Sequence, residues 1–384
     1  MSLHSFLDAK PLFYDVIDYE RFPRIYKRIQ PSFRLPKMIH IVGTNGKGTT
    51  GRFLAQMLRF QRVHVGHYTS PHILKFNERI WFDGNDVCDD VLEEAHTFLL
   101  TLLNKDEQEA LSYFEYTTLL AMVIFSKTCD YVVLEAGLGG EFDATHVFTK
   151  TLSIITPIGY DHQAFLGNTI EEIARTKLNS IETDFILAPQ PYTIVECIAQ
   201  EIAEKKRVNV RTSKTLLSQA KHEAVQAYVT QKGYPSFLHV NFTTAYSALT
   251  FLGYDISLEA FDAPLLAGRF QKFLPNVTLD VGHNPLAAEA LLKAFGQKKV
   301  ILVYNSYADK EYASILELLK PIIEHLEVIE IQSSRAVDPH LLRNVANGLG
   351  ISVSEYTKID ANKEYLVFGS FSVIEAFLKG YRER

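Results

Sequence analysis

Seven consecutive residues, Gly43-Thr44-Asn45-Gly46-Lys47-Gly48-Thr49, combine glycine, lysine and hydroxyl side chains at a spacing suited to phosphate. They follow the apolar run MIHIV (38–42), which reads as a strand, and open KGTTGRFLAQMLRF (47–60), which reads as a helix. A loop so placed presents unpaired amide N–H groups and the positive end of a helix. Gly43, Gly46 and Gly48 let the backbone turn and approach a polyphosphate, Lys47 adds mobile positive charge, and the Thr49 hydroxyl suits a magnesium ion. The spelling departs from G-x-x-x-x-G-K-[ST], because Gly48 stands between Lys47 and Thr49. A plain glycine-rich turn is the alternative; the placed lysine and threonine favour ATP, with all seven residues assigned to it.

Further polar residues stand where predicted strands end. Thr69-Ser70-Pro71-His72 is followed by Glu78-Arg79-Ile80, and Glu135 leads from the strand YVVLEAG (131–137) into Gly137-Leu138-Gly139-Gly140 and Asp143-Ala144-Thr145. After LSIITPIG (152–159) comes Gly159-Tyr160-Asp161-His162. A carboxylate at the carboxyl edge of a parallel sheet, leading into a glycine-rich loop, is a plausible hard-oxygen ligand for magnesium. Read alone, Ser-Pro is a turn starter and Asp-His a common turn, so these two stay open on their own residues.

GTNGKG followed by Ser or Thr resembles the phosphate loop of the folylpolyglutamate synthases, a branch of the Mur-ligase superfamily, whose other motifs occur in order across nearly the whole chain. The resemblance implies ATP with two magnesium sites and metal ligation by Thr49, Ser70, Glu135 and His162. It implies catalytic roles for Lys47, Glu135, His162, Lys177 and His283. Lys177, on TIEEIARTKL (169–178), aligns with a lysine carbamylated by carbon dioxide, a reaction that needs neutral amine and is helped by desolvation. Gly268-Arg269 and Asp280-Val281-Gly282-His283-Asn284-Pro285 are similar to the family's G-R and D-x-x-H-N-P signatures, which places Arg269, Asp280, His283 and Asn284 on the nucleotide. Asn241 aligns with an adenine-side asparagine, Thr118 (in Phe114-Glu115-x-x-Thr118) with the pterin side, Asp143 with a substrate-binding position, and Lys310 and Ser370 with the glutamate side. The structural alternatives are a packed histidine, a helix-capping Asn-Pro and solvated strand ends. Glu141 and His146 stand where the family usually has arginine and asparagine, and Thr176 and Phe242 depart likewise.

The implied reaction is ATP-dependent joining of L-glutamate to dihydropteroate, to a reduced folate, or to both, through an acyl phosphate. Two rivals are a ligase of the same architecture acting on a nucleotide-sugar peptidoglycan precursor, and a nucleotide-binding protein that has lost the chemistry. Thr69-Ser70-Pro71-His72 and Gly137 to Gly140 speak against the first; Lys47, Glu135, His162 and Lys177 together speak against the second.

The elements that must hold these residues are α/β throughout. Short apolar runs alternate with helix-length amphipathic stretches, which predicts a mostly parallel, helix-covered sheet bearing the P-loop. DAPLLAGRFQKFLPN (262–276) interrupts that periodicity before a second strand and helix series begins with VTLDVG. The expected domains are therefore 1–264, a P-loop ATP-binding domain, and 265–384, a smaller Rossmann-like α/β domain. A length of 384 residues suits two cores. A net charge of −6 excludes a broad electrostatic footprint for nucleic acid or an anionic membrane and leaves room for basic pockets that take small anions. Cys88, Cys129 and Cys197 form no CxxC pair, which suggests neither a disulfide framework nor a zinc knuckle. Without a basic leader or a long apolar span, the chain is expected to be cytoplasmic, monomeric and bound only to small molecules.

Overall fold

A computed structural model of the chain describes residues 1–10 and 18–382. It divides into one unit of Met1–Lys232 with Val240–Ala263 and a second of Gly233–His239 with Pro264–Arg384.

The first unit is built on eight strands: β1 (Lys37–Val42), β2 (Val65–Tyr68), β3 (Ile80–Phe82), β4 (Asn85–Asp86), β5 (Tyr131–Glu135), β6 (Lys150–Ile155), β7 (Phe185–Leu187) and β8 (Val210–Arg211). Their spatial order is β4-β3-β2-β5-β1-β6-β7-β8. Every pairing from β2 to β8 is parallel, and the β2–β3 and β3–β4 pairings are antiparallel. All five residues of β5 and the last five of β1 are buried, as strands covered by helices on both faces require. One apolar core gathers Met38, Tyr116, Phe125 and Val132; another gathers Val42, Ile155, Ile173 and Phe185. From β1 the chain crosses beyond β5 to reach β2, whereas β6 lies on the other side of β1. The carboxyl end of β1 is thus a switch point, where open α/β sheets leave a crevice for ligands.

The second unit contains β9 (Gln271–Leu274), β10 (Val277–Asp280), β11 (Val300–Tyr304), β12 (Ile323–Val328), β13 (Val353–Glu355) and β14 (Tyr365–Phe368). They are ordered β13-β12-β11-β14-β10-β9, with only the β9–β10 pairing antiparallel. Leu302, Tyr304, Leu316, Leu326 and Phe368 lie in its core. Both sheets have the α/β form expected from the sequence, a mostly parallel sheet and a smaller one. No helix among the described residues is long and apolar enough to cross a membrane.

Candidate active site

The loop after β1 is shaped by two close approaches. A Cβ on Gly43 would collide with Thr156, just past β6, and one on Gly46 would collide with the Asn241 side chain. Gly46 has φ 85°, a left-handed conformation that glycine adopts without the Cβ penalty. Thr44 fixes the loop from the other side. Its N–H donates to the Pro157 carbonyl at 2.9 Å, and its hydroxyl donates to the Gly159 carbonyl at 3.0 Å while accepting from the Gly159 N–H at 3.1 Å. Asn45 N–H also donates to Pro157 at 3.2 Å.

The helix Lys47–Phe60 that follows has no side-chain cap and no acidic residue in its first turn. Its first N–H groups therefore lack intrahelical partners and face outward with the positive end of the dipole. Two lysines reinforce that field. Lys47 Nζ donates to the carbonyls of Thr44 at 3.1 Å and Gly43 at 3.3 Å, and Lys177 Nζ donates to the same Gly43 carbonyl at 3.0 Å. Lys177 sits on the helix Ile170–Leu178 and is 5% exposed. Burial, with Lys47 beside it, lowers its pKa to about 7, while Asp161 and Asp143 oppose the shift. Thr49 is buried at the helix start.

Glu135, at the tip of β5, is buried and accepts from the Thr69 hydroxyl and, at 3.4 Å, from Ser70 N–H. Both bonds fall on Oε2, leaving Oε1 without a hydrogen-bond partner among the described residues. Ser70 thus adjoins Glu135. Thr69 was named from the sequence only as part of a motif; nothing local in a sequence reveals that its hydroxyl holds Glu135. Glu78 arranges the loop that follows Ser70, accepting from the N–H groups of Ile73, Leu74 and Lys75 at 2.7 to 2.9 Å. His162 is exposed, takes φ 51°, and begins the short helix Gln163–Leu166 with its N–H bonded to Asp161 at 2.9 Å. Carboxylate and hydroxyl oxygens such as those of Glu135, Ser70 and Thr49 are donors of the type that hard divalent cations take.

Other residues assigned to substrate prove engaged with the backbone. Thr118 is buried and its hydroxyl donates to Phe114 O, one turn back, at 2.8 Å. Asp143 is buried and accepts from Leu138 N–H, Thr145 N–H and the Thr145 hydroxyl at 2.5 to 2.9 Å. Burial pushes its pKa up against those bonds. Asn241 lies against Gly46, and Phe242, an exception to the family pattern, stacks on Tyr228 at 4.6 Å and meets Phe53 edge-on at 5.2 Å. The departures Glu141 and His146 are also anchored: Glu141 accepts from Asn179 at 2.8 Å, and His146 bonds Lys150 at 3.0 Å. Thr176 returns its hydroxyl to Glu172 O at 3.1 Å.

In the second unit, Asp280 ends β10 and accepts from Phe270 N–H at 2.9 Å and Gly282 N–H at 2.8 Å; burial raises its pKa. Asn284 caps the helix Pro285–Phe295 through Ala287 N–H at 2.9 Å. His283 Nδ1 lies 3.2 Å from the Val281 carbonyl, and the Arg269 guanidinium rests 4.8 Å over the Phe371 ring. Ser370 is buried and accepts from Val373 N–H at 3.2 Å; Lys310 is half-buried, its N–H bonded to Tyr307 O at 3.0 Å. These last two follow the neighbouring strands β14 and β11, whose ends are joined by a 2.7 Å bond between the Tyr307 and Ser372 hydroxyls.

No family model matches the chain. A dihydrofolate synthase/folylpolyglutamate synthase of Haemophilus influenzae is 30% identical, the alignment covering 93% of this chain and 92% of that protein. The crystal structure of Helicobacter pylori folylpolyglutamate synthetase is 39% identical with a TM-score of 0.79, covering 100% of this chain and 98% of that one. Escherichia coli FolC in complex with DHPP and ADP is 25% identical with a TM-score of 0.81, covering 99% and 97%.

Proposed function

The chain belongs to the dihydrofolate synthase/folylpolyglutamate synthase family, whose members are ATP-dependent amide-forming ligases, and from that premise we propose that it joins L-glutamate to the carboxylate of dihydropteroate, of a reduced folate, or of both in turn. The observation that carries this reading is the pair of lysines on the Gly43 carbonyl, at the head of an uncapped helix and at the sheet's switch point.

The loop amides and Lys47 hold the β- and γ-phosphates, drawing charge away as a substrate carboxylate oxygen attacks the γ-phosphorus. The bond from the γ-phosphorus to its bridging oxygen breaks, ADP departs, and an acyl phosphate remains. The neutral amine of glutamate then attacks the acyl carbon, the amide C–N bond forms, and phosphate leaves with the carbonyl–oxygen bond electrons while the amine proton passes to a base. Thr49, Ser70 and Glu135, with His162 at a second ion, would hold divalent cations, which would neutralise phosphate charge when bound. Two such sites fit the reading. Lys177, with a large neutral fraction near pH 7, is suited to attack carbon dioxide through its lone pair and lose a proton, becoming a carbamate anion beside the phosphate loop. Arg269, Asp280, His283, Asn284 and Asn241 are assigned to the nucleotide, Thr118 to the pterin side, Asp143 to substrate, and Lys310 and Ser370 to glutamate. The protein is proposed to work as a cytoplasmic monomer on small molecules alone.

Phosphate release from ATP with dihydropteroate or tetrahydrofolate, each with and without glutamate, tests the function. Release that requires glutamate and one of the two acids is expected. Equal release in all mixtures would overturn the reading, and the responding acid identifies the substrate.

A further inference from the structure

A histidine occupies the middle of the central strand β1. His40 is fully buried, in register between Leu134 of β5 and Ser153 of β6, in a strand whose other buried residues are all apolar. Its Nε2 lies 2.8 Å from the Thr145 hydroxyl, which donates to Asp143 Oδ1 at 2.5 Å. A hydroxyl has one proton. With that proton directed at Asp143, Thr145 can only accept from His40, so the imidazole is the neutral Nε2–H tautomer. Burial, with Lys150 and His146 nearby, holds the His40 pKa well below its usual value and favours that neutral ring. Nδ1 is then left without a hydrogen-bond partner among the described residues, as is the neighbouring Ser153 hydroxyl. A buried unsatisfied nitrogen costs stability that an aliphatic side chain would avoid.

The chain of bonds ends at a junction. Asp143 Oδ1 also accepts Thr145 N–H and Oδ2 accepts Leu138 N–H, so one carboxylate ties both ends of the loop following Gly137. That loop also bonds the Lys177 helix, Glu141 N–H donating to Thr176 O at 3.1 Å. The charge facing Asp143 is Lys177 from this helix, and Tyr68 of β2 also feels the Asp143 carboxylate; Lys150 and His146 face His40.

We propose that His40 and Thr145 are positioning residues for the ligase reaction: the chain His40–Thr145–Asp143 keeps the Asp143 carboxylate ionised and aimed, and with it the loop from Gly137 to Asp143. The proposal rests on the function given above. A donated proton from Thr145 stabilises the carboxylate, and the His40 donor prevents that hydroxyl from turning away. Without the donor, Asp143 takes up a proton at higher pH and the loop loses one anchor.

The test separates geometry from packing. His40→Val and Thr145→Val remove the chain; His40→Gln keeps a donor in reach of Thr145, and Thr145→Ser keeps the hydroxyl. In glutamate-dependent phosphate release, the valine variants should lose about tenfold in kcat/KM and shift the acidic limb of the pH profile upward by about one unit. The glutamine and serine variants should stay within about threefold of wild type with the limb unmoved. Folded valine variants with wild-type rate and profile would overturn the proposal, as would a glutamine variant as impaired as His40→Val. Nitrogen NMR of the wild-type imidazoles, with His40 assigned through its absence in His40→Gln, reads the tautomer without activity or any valine variant. A neutral Nε2–H ring from about pH 5.5 to 8 is expected; titration in that range or the other tautomer would also overturn the proposal. Were the wild type to release no glutamate-dependent phosphate, the enzymatic reading would fail and the role in catalysis with it, whereas the NMR result judges the bond chain separately.

Discussion

After β1 the chain passes through Gly43 to Gly46 into a helix with a lysine, no acid and no cap in its first turn. After β10 it passes through Asp280 to Asn284 into a helix capped by Asn284 and started by Pro285. Both are strand-to-helix turns at the carboxyl end of a parallel strand. The second satisfies itself: Asp280 takes two backbone N–H groups and Asn284 a third. In the first, glycine replaces the capping side chains, the helix N–H groups stay open, and two lysines share one carbonyl. An unsatisfied, cationic turn is costly for a fold by itself and becomes reasonable when an anion completes it. The first turn thus leaves its polar groups open to an anion, and the second spends its own on its backbone.

The largest test of this contrast is Lys47→Met, which should lower glutamate-dependent turnover about a thousandfold, because a cation aimed at transferring phosphate is lost. Turnover within tenfold of wild type would make the first turn as structural as the second. Lys177→Met should abolish most turnover and also alter stability. The lysine's folded pKa is lowered from 10.5 to about 7, so over that interval the unfolded chain holds a proton that the native chain lacks. Stability therefore rises with pH from about 7 to 10 in the wild type, by at most about 1.4 kcal/mol per unit for one proton. Denaturant titrations at pH 7 and 9 should show that slope reduced in Lys177→Met; an unchanged slope would place the lysine's charge elsewhere. Gly46→Ala forces a left-handed alanine against Asn241, which should cost about 1–2 kcal/mol and raise KM for ATP about tenfold. Asn284→Ala should have the smallest effect, about 1 kcal/mol of stability in chemical denaturation, with Asn284→Ser restoring most of it. A loss of turnover far beyond that change, not restored by serine, would show chemistry in the second turn and sharpen the nucleotide assignment of Asn284.

The placement of the candidate phosphate loop was legible because its signals are local. The glycines, Lys47 and Thr49 lie within seven residues, and the apolar run before them with the amphipathic run after them places the loop at a strand-to-helix turn. Glu135 could be put at a strand tip for the same reason. What escaped was the use of each polar atom. Thr118 and Ser370 look equally available in a sequence, yet one hydroxyl bonds its own helix and the other starts one. Thr156 and His40 belong to no motif and Thr69 entered only as the first letter of one, and each is set by a residue far away in the chain: Gly43, Thr145 and Glu135.

The amino-acid sequence by itself determined the α/β alternation, the phosphate loop and the strand ends that bear polar side chains, because each depends on period, residue type and near neighbours. Tertiary structure decided that Lys47 and Lys177 meet on one carbonyl, that burial lowers Lys177 to about 7, and that a histidine in the sheet supports Asp143. These follow from parallel strands brought together by long crossovers, which set distance and desolvation among residues more than a hundred positions apart, and a linear pattern carries neither.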